Sequence, residues 1–216
     1  MKENTKKIVG TGVLTAIIVV LQFVASAIKF GPFSITLVLA PIVVGAALYG
    51  VLSGAWLGLT FGVTVLLSGD AAAFLTINPA GTVVTVLAKG MLAGLCAGAI
   101  YKLTVKLLDR PDKVAYYAKN NDGEVIYTIY KKNNVNKNLF ATIVAGVVCP
   151  VVNTGIFLAG CYIFFQDWLT TVFGTTGFVT VVTGLVTVNF AVELGINLAL
   201  ATVIERIIRI GKKEVK

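Results

Sequence analysis

Long apolar runs, broken by only a handful of charges, govern what this chain can be. A helix that crosses the hydrocarbon of a bilayer needs about 20 mostly apolar residues. Runs of that kind recur from Ile8 to Ile208 in the 216-residue sequence. Backbone polar groups in hydrocarbon must be satisfied inside the segment, so such runs fold as helices. The composition agrees: 57% of the residues are hydrophobic and 13% charged, with mean hydropathy +0.90. An ordinary soluble domain carries about 25% charged residues. A water-soluble globule and a disordered chain are both excluded. A signal peptide does not account for the runs, because they continue to the C-terminus.

The punctuation of the runs predicts an all-α membrane protein of six spans, forming a single domain over residues 1–216. The first is Ile8–Ile28, and the stretch Phe33–Leu67 divides into Ser34–Tyr49 and Gly54–Leu67 around a turn at Gly50–Ser53. Ser68–Gly81, with Gly69, Asp70, Asn78 and Pro79, is predicted as a loop. The fourth span is Thr82–Leu108 and the fifth Leu139–Phe165, separated by a polar insert, 109–138. Gln166–Gly177 is predicted as a loop, and Phe178–Ile208 is the sixth span. In the insert, Val114–Ala118 and Val125–Tyr130 flank Asn120-Asn121-Asp122-Gly123, the signature of a β-hairpin with a tight turn. The hairpin reads as a small solvated cap or as a docking element for a cytoplasmic partner.

Charge placement sets the orientation. Of the 18 Lys and Arg residues, all but Lys29 and Lys89 fall on the side that receives both termini, the Gly50 turn and the insert. Lys and Arg accumulate on the cytoplasmic side of membrane proteins, so both termini are expected inside, in a bacterial cytoplasmic membrane. The net charge of +8 is then a topology signal with some attraction to anionic lipid, and nucleic acid is not expected as a partner.

Several chemistries are absent. The sequence has no His, which removes imidazole acid–base chemistry and imidazole metal ligation. Its three Cys residues, Cys96, Cys149 and Cys161, lie in apolar runs without metal-ligand spacing. There is no phosphate-binding loop for ATP and no paired nucleophile and base. No enzymatic activity, metal or cofactor is expected.

Two patterns remain. Small residues recur every four positions, at Gly50, Gly54, Gly58 and Gly62, at Gly90, Gly94 and Gly98, and at Gly12 and Ala16. That spacing lets helix backbones approach closely in lipid. For Gly12 and Ala16, packing within the chain and contact with another membrane subunit are equally supported. The second pattern is buried polarity. Ionisable residues at membrane depth usually face a bundle interior and mark function. Lys89 and Glu193 sit deep, with Asn189, Glu193 and Asn197 on one face of the sixth helix and Asn153 in the fifth, three residues after Pro150. These residues, with Asn78 in the preceding loop, are the candidate substrate-binding group; the alternative is a Lys–Glu pair and amides that glue helices together. Gln22 is isolated and reads as structural. Phe74–Pro79 and Trp168–Phe173 read either as a lid or as interfacial aromatic anchors.

The order and spacing of these features resemble one family. The small-residue first helix with Gly12 and Ala16, the stretch Ile35–Gly54 (ITLVLAPIVVGAALYGVLSG) and the stretch Val86–Lys102 (VLAKGMLAGLCAGAIYK) look like the substrate-binding S components of energy-coupling factor (ECF) vitamin importers. The likeness covers nearly the whole chain except the 109–138 insert. It implies capture of a vitamin or related micronutrient from outside, in a pocket built by the last three helices and the outer loops. It also implies docking on a membrane-embedded T subunit that carries two ABC-type ATPases, with the first-helix pair Gly12 and Ala16 at that contact. The family often has alanines at this spacing, and here Gly stands at one position and Thr at another. Lys89 suits an anionic cargo such as pantothenate, Glu193 opposes a second carboxylate or simply neutralises Lys89, and riboflavin-, folate-, nucleoside- and pyridoxine-like cargoes stay open. A self-sufficient small permease for a polar metabolite is the competing expectation.

Overall fold

The computed structural model describes residues 3–27, 29–30, 33–34, 37–108, 113–119, 125–131, 137–173, 179 and 187–215. Three of its helices are long and apolar enough to cross a membrane, over Asn4–Ala27, Pro79–Leu108 and Lys137–Phe164, and two shorter apolar helices cover Leu39–Tyr49 and Val51–Leu67. The first helix, α1 (Glu3–Ala27), is followed by two paired dipeptides, β1 (Lys29–Phe30) and β2 (Phe33–Ser34). Next come α2 (Leu39–Tyr49), α3 (Val51–Leu67), the single turn α4 (Ala72–Leu75) and α5 (Pro79–Leu108). Strands β3 (Lys113–Lys119) and β4 (Val125–Lys131) pair antiparallel, from Lys113 opposite Lys131 to Lys119 opposite Val125. The expected turn between them lies outside the described residues. The chain continues as α6 (Lys137–Phe164), α7 (Gln166–Phe173) and α8 (Thr187–Val215).

The second apolar run does divide into two short helices, at Gly50. This residue has φ 105°, a backbone conformation that side chains disfavour, and its N–H still donates to the Ala46 carbonyl at 3.1 Å. The break is one residue, so α3 begins at Val51 and not at Gly54. Gly10 on α1 lies against Tyr49, and Gly211 on α8 lies against Leu48. The start of α1 and the end of α8 therefore meet at this break, which defines a terminal end of the bundle and an opposite, distal end.

Helix α5 is central, packing on α3 along one side and on α6 along the other. The α3–α5 contact is built from the small-residue ridges. A methyl group on Gly54, Gly58 or Gly62 would be driven into the carbonyl oxygens of Gly94, Gly90 and Val86 respectively. These backbones touch directly, as small residues at i, i+4 allow. Around this seam Ile18, Leu39, Ile42, Leu57 and Phe61 form a buried core, joined by Ile204 and Ile208 of α8.

Two expected loops are helical. Within Ser68–Gly81 the chain makes α4, and α5 starts at Pro79, three residues before the expected Thr82. Proline is pre-set for the first helical turn, where its missing N–H has no intrahelical partner. Asn78 caps that turn: its Oδ1 accepts from the Gly81 N–H at 2.9 Å. Within Gln166–Gly177 the first eight residues form α7, because Leu169 and Phe165 turn inward, 2% exposed each, and draw the segment onto the bundle. At the C-terminus α8 runs past the expected Ile208 to Val215.

Candidate functional site

Contacts between the long helices fix their relative register. Gly81 and Thr85 of α5 face Phe164 and Gly160 of α6, and Gly146 of α6 faces Asn197 of α8. α5 packs on α6, and α6 packs on α8. The helices that carry the candidate residues are thus adjacent in the order α5, α6, α8. Counting along the two antiparallel pairs places Lys89 level with Ile156 and Glu193 level with Pro150, an axial offset of about 9 Å at 1.5 Å per residue.

Glu193 is 1% exposed and Asn197 2%, with Asn153 at 5%. Their helix faces inward because the ladder spacing i, i+4 keeps the pair on one side. Asn197 Nδ2 donates to the Glu193 backbone carbonyl at 3.0 Å. Pro150, one turn before Asn153 on α6, has no N–H, so the Gly146 carbonyl lacks its helical donor just where Asn197 packs against that glycine. The side chain of Asn189 lies outside the described residues.

Lys89 is partly buried, and its ammonium sits over two aromatic rings, 5.7 Å from the centroid of Phe61 and 5.2 Å from that of Phe157. The negative faces of the rings attract the cation. Glu193 first, then Asp70, are the carboxylates close enough to act on its charge. At the distal end the Phe74 ring meets Phe157 edge-on at 5.6 Å and Phe165 at 5.2 Å, and these aromatics form one cluster with Cys161, Leu169, Ile77 and Trp168. The two aromatic segments of the distal loops therefore pack on one another above Lys89.

Two polar groups, Asp70 and Thr85, were not singled out by the pattern as part of the buried polar set. Asp70 accepts a 2.6 Å hydrogen bond from Gln22 Nε2, which ties the turn after α3 to α1. Gln22 is thus paired, not isolated. Thr85, 5% exposed, stands one turn from Lys89 on the same face of α5. Its i−4 relation to Lys89 was visible in the sequence; the Gln22–Asp70 pairing, 48 residues apart, was not. Asn78, at the start of α5, uses its side-chain carbonyl oxygen to cap that helix. A cleft of about 580 Å³, lined by Lys7, Tyr49, Tyr101 and Lys102 among others, opens at the terminal end, away from this polar group.

A family model described as the ECF transporter, substrate-specific component, matches residues 6–205. This chain belongs to that family. The match includes every residue of the polar group. No curated protein and no solved structure matches the chain. As an S component the protein is a membrane transport protein and not an enzyme. Membership also implies a small-molecule substrate and association with T and ATPase components. On α1 of this S component Gly12 and Ala16 are both exposed, and a methyl group on Gly12 would meet nothing within 4 Å. Val9, Val13, Val20 and Val24 extend the same apolar, uncovered surface.

Proposed function

We propose that this S component captures a vitamin or related micronutrient between α5, α6 and α8 and delivers it as the substrate-binding subunit of an ATP-driven importer. The observation that carries the reading is a carboxylate and an amide, Glu193 and Asn197, 1% and 2% exposed inside an apolar bundle. Charge at membrane depth is costly, about 2.5–3.5 kcal/mol on insertion scales, and functional sites are where it is retained. Lys89 and Asn153 complete the group, and Asn189 joins it from the same face of α8. The distal aromatic cluster acts as the lid. The chain forms one membrane domain of six spans with both termini cytoplasmic, multi-pass in the bacterial cell membrane, and residues 109–138 project as a cytoplasmic insert.

The open α1 surface around Gly12 and Ala16 docks the T subunit, which brings the two ATPases. Small residues there allow a close backbone approach that larger side chains would block. The test is mass spectrometry of small molecules carried through purification, followed by calorimetry with the compound found. A bound micronutrient and tight rebinding are expected. Uptake by liposomes that contain only this chain would refute the importer-subunit reading in favour of a lone permease.

A further inference from the structure

The helix break at Gly50 lies at the opposite end of the bundle from the candidate polar group. Gly10 of α1 lies against Tyr49, and Gly98 of α5 lies against Val51. Lys7 precedes Gly10 by one turn and Lys102 follows Gly98 by one turn, each on the helix face that meets the break. Two cations on different helices therefore approach Gly50 from either side, and both line the cleft of about 580 Å³. That volume falls in the range of small-molecule sites, about 300–1,000 Å³. Gly50 supplies no side chain, and a methyl group there would meet nothing within 4 Å, so the break itself leaves open space.

The walls combine two characters. Ala46, Val51 and Val105 are apolar, while Tyr49 and Tyr101 carry polar tips. Leu52 also lines the cleft and is 84% exposed, and Trp56, one turn further along the same face of α3, is 55% exposed. Lipid tails are as apolar as leucine, so in a membrane bundle this exposed strip faces lipid and the cleft opens sideways onto it. Charge at this end is one-sided. Among the described side chains Lys6, Lys106, Lys137, Arg206 and Arg209 surround the two cleft lysines, and the one carboxylate, Glu205, lies 3.7 Å from Arg209. Basic pockets between spanning helices on the cytoplasmic side suit anionic lipid headgroups.

We infer that this cleft binds the headgroup of one anionic phospholipid, with Lys7 and Lys102 at its phosphate and an acyl chain along Leu52 and Trp56. The inference is independent of the capture reading and needs only that this end of the bundle lies at a leaflet surface. The test is native mass spectrometry of the full chain in neutral detergent, titrated with phosphatidylglycerol, phosphatidylcholine and inorganic phosphate. One bound phosphatidylglycerol is expected, preferred over phosphatidylcholine by about tenfold or more, as two lysines at about fivefold each allow. Lys7→Gln and Lys102→Gln should each weaken it by about fivefold, and Lys102→Arg should retain it. Lys106→Gln removes the same charge from an exposed position outside the cleft and should leave the affinity unchanged. Circular dichroism checks the fold of each variant, and exposed Lys102 carries the test if Lys7→Gln misfolds. Equal affinity for the two lipids, or equal loss in Lys102→Gln and Lys106→Gln, would show diffuse surface charge only and overturn the site. Displacement of the lipid by inorganic phosphate alone would overturn the lipid assignment and make a free anion the ligand.

Discussion

The sharpest perturbation is a double-mutant cycle on Lys89→Met and Glu193→Gln. The register contacts put the two residues about 9 Å apart along the bundle axis, at 1.5 Å per residue. The ammonium stays near the Phe157 level, because it lies 5.2 Å from that ring. At an effective dielectric near 20, opposite charges about 9 Å apart attract by about 1.8 kcal/mol, whereas a contact pair at about 4 Å reaches about 4 kcal/mol. The expected coupling is therefore roughly 1–2 kcal/mol. Lys89→Met alone also loses the cation–ring attraction, about 0.5–2 kcal/mol. Reversible unfolding of the four proteins in mixed micelles with increasing dodecyl sulfate measures the cycle. A coupling below about 0.3 kcal/mol would show that the charges do not feel each other. One above about 3 kcal/mol would show a direct ion pair, and either result refutes the geometry argued here.

Two further substitutions test the frame that holds the site. Gly58→Val forces a branched side chain into the Gly90 carbonyl, so the α3–α5 seam must open; a loss of about 1–3 kcal/mol or more in the same unfolding assay is expected, and a neutral result would refute the seam. Asn78→Ala removes the cap on α5 and should cost about 1 kcal/mol while leaving affinity for the retained compound unchanged; a large loss of affinity would return Asn78 to the binding group.

How legible the molecule was depends on the range of the interaction involved. The long apolar runs and the Gly50 break could be read because both are local. A run of about 20 apolar residues has one solution in hydrocarbon, and a glycine between two such runs ends one helix and starts the next. The glycine ridges were legible as a pattern but not as a choice of partner. That Gly54, Gly58 and Gly62 press on α5, while Gly12 faces outward, is decided by tertiary packing. The two misread loops failed for a related reason. Leu169 and Phe165 make Gln166–Phe173 a helix by giving one of its faces something to bury, and nothing local in Gln166-Asp167-Trp168 announces that. Glu193 and Asn197 were found because a polar residue in an apolar run stands out at any distance. Asp70 was overlooked because an aspartate in a Gly-containing turn has a sufficient local explanation; its bond to Gln22 supplies the second one.

The division of labour inside the bundle follows from these contacts. Between α3 and α5 the backbones meet through glycine, with no side chain in between to adjust. Across the α6–α8 contact a methyl group on Gly146 would sit 4.0 Å from Asn197, with room to spare, and α6 carries Pro150 and a carbonyl without its usual helical donor. Lys89 joins the two sides, its backbone on α5 and its ammonium over both the Phe61 ring of α3 and the Phe157 ring of α6, while Asn153, Glu193 and Asn197 lie on α6 and α8. The distal aromatics bridge the same two sides, with Phe74 ahead of α5 meeting Phe157 and Phe165 at the end of α6, so the rings tie the start of α5 to the end of α6.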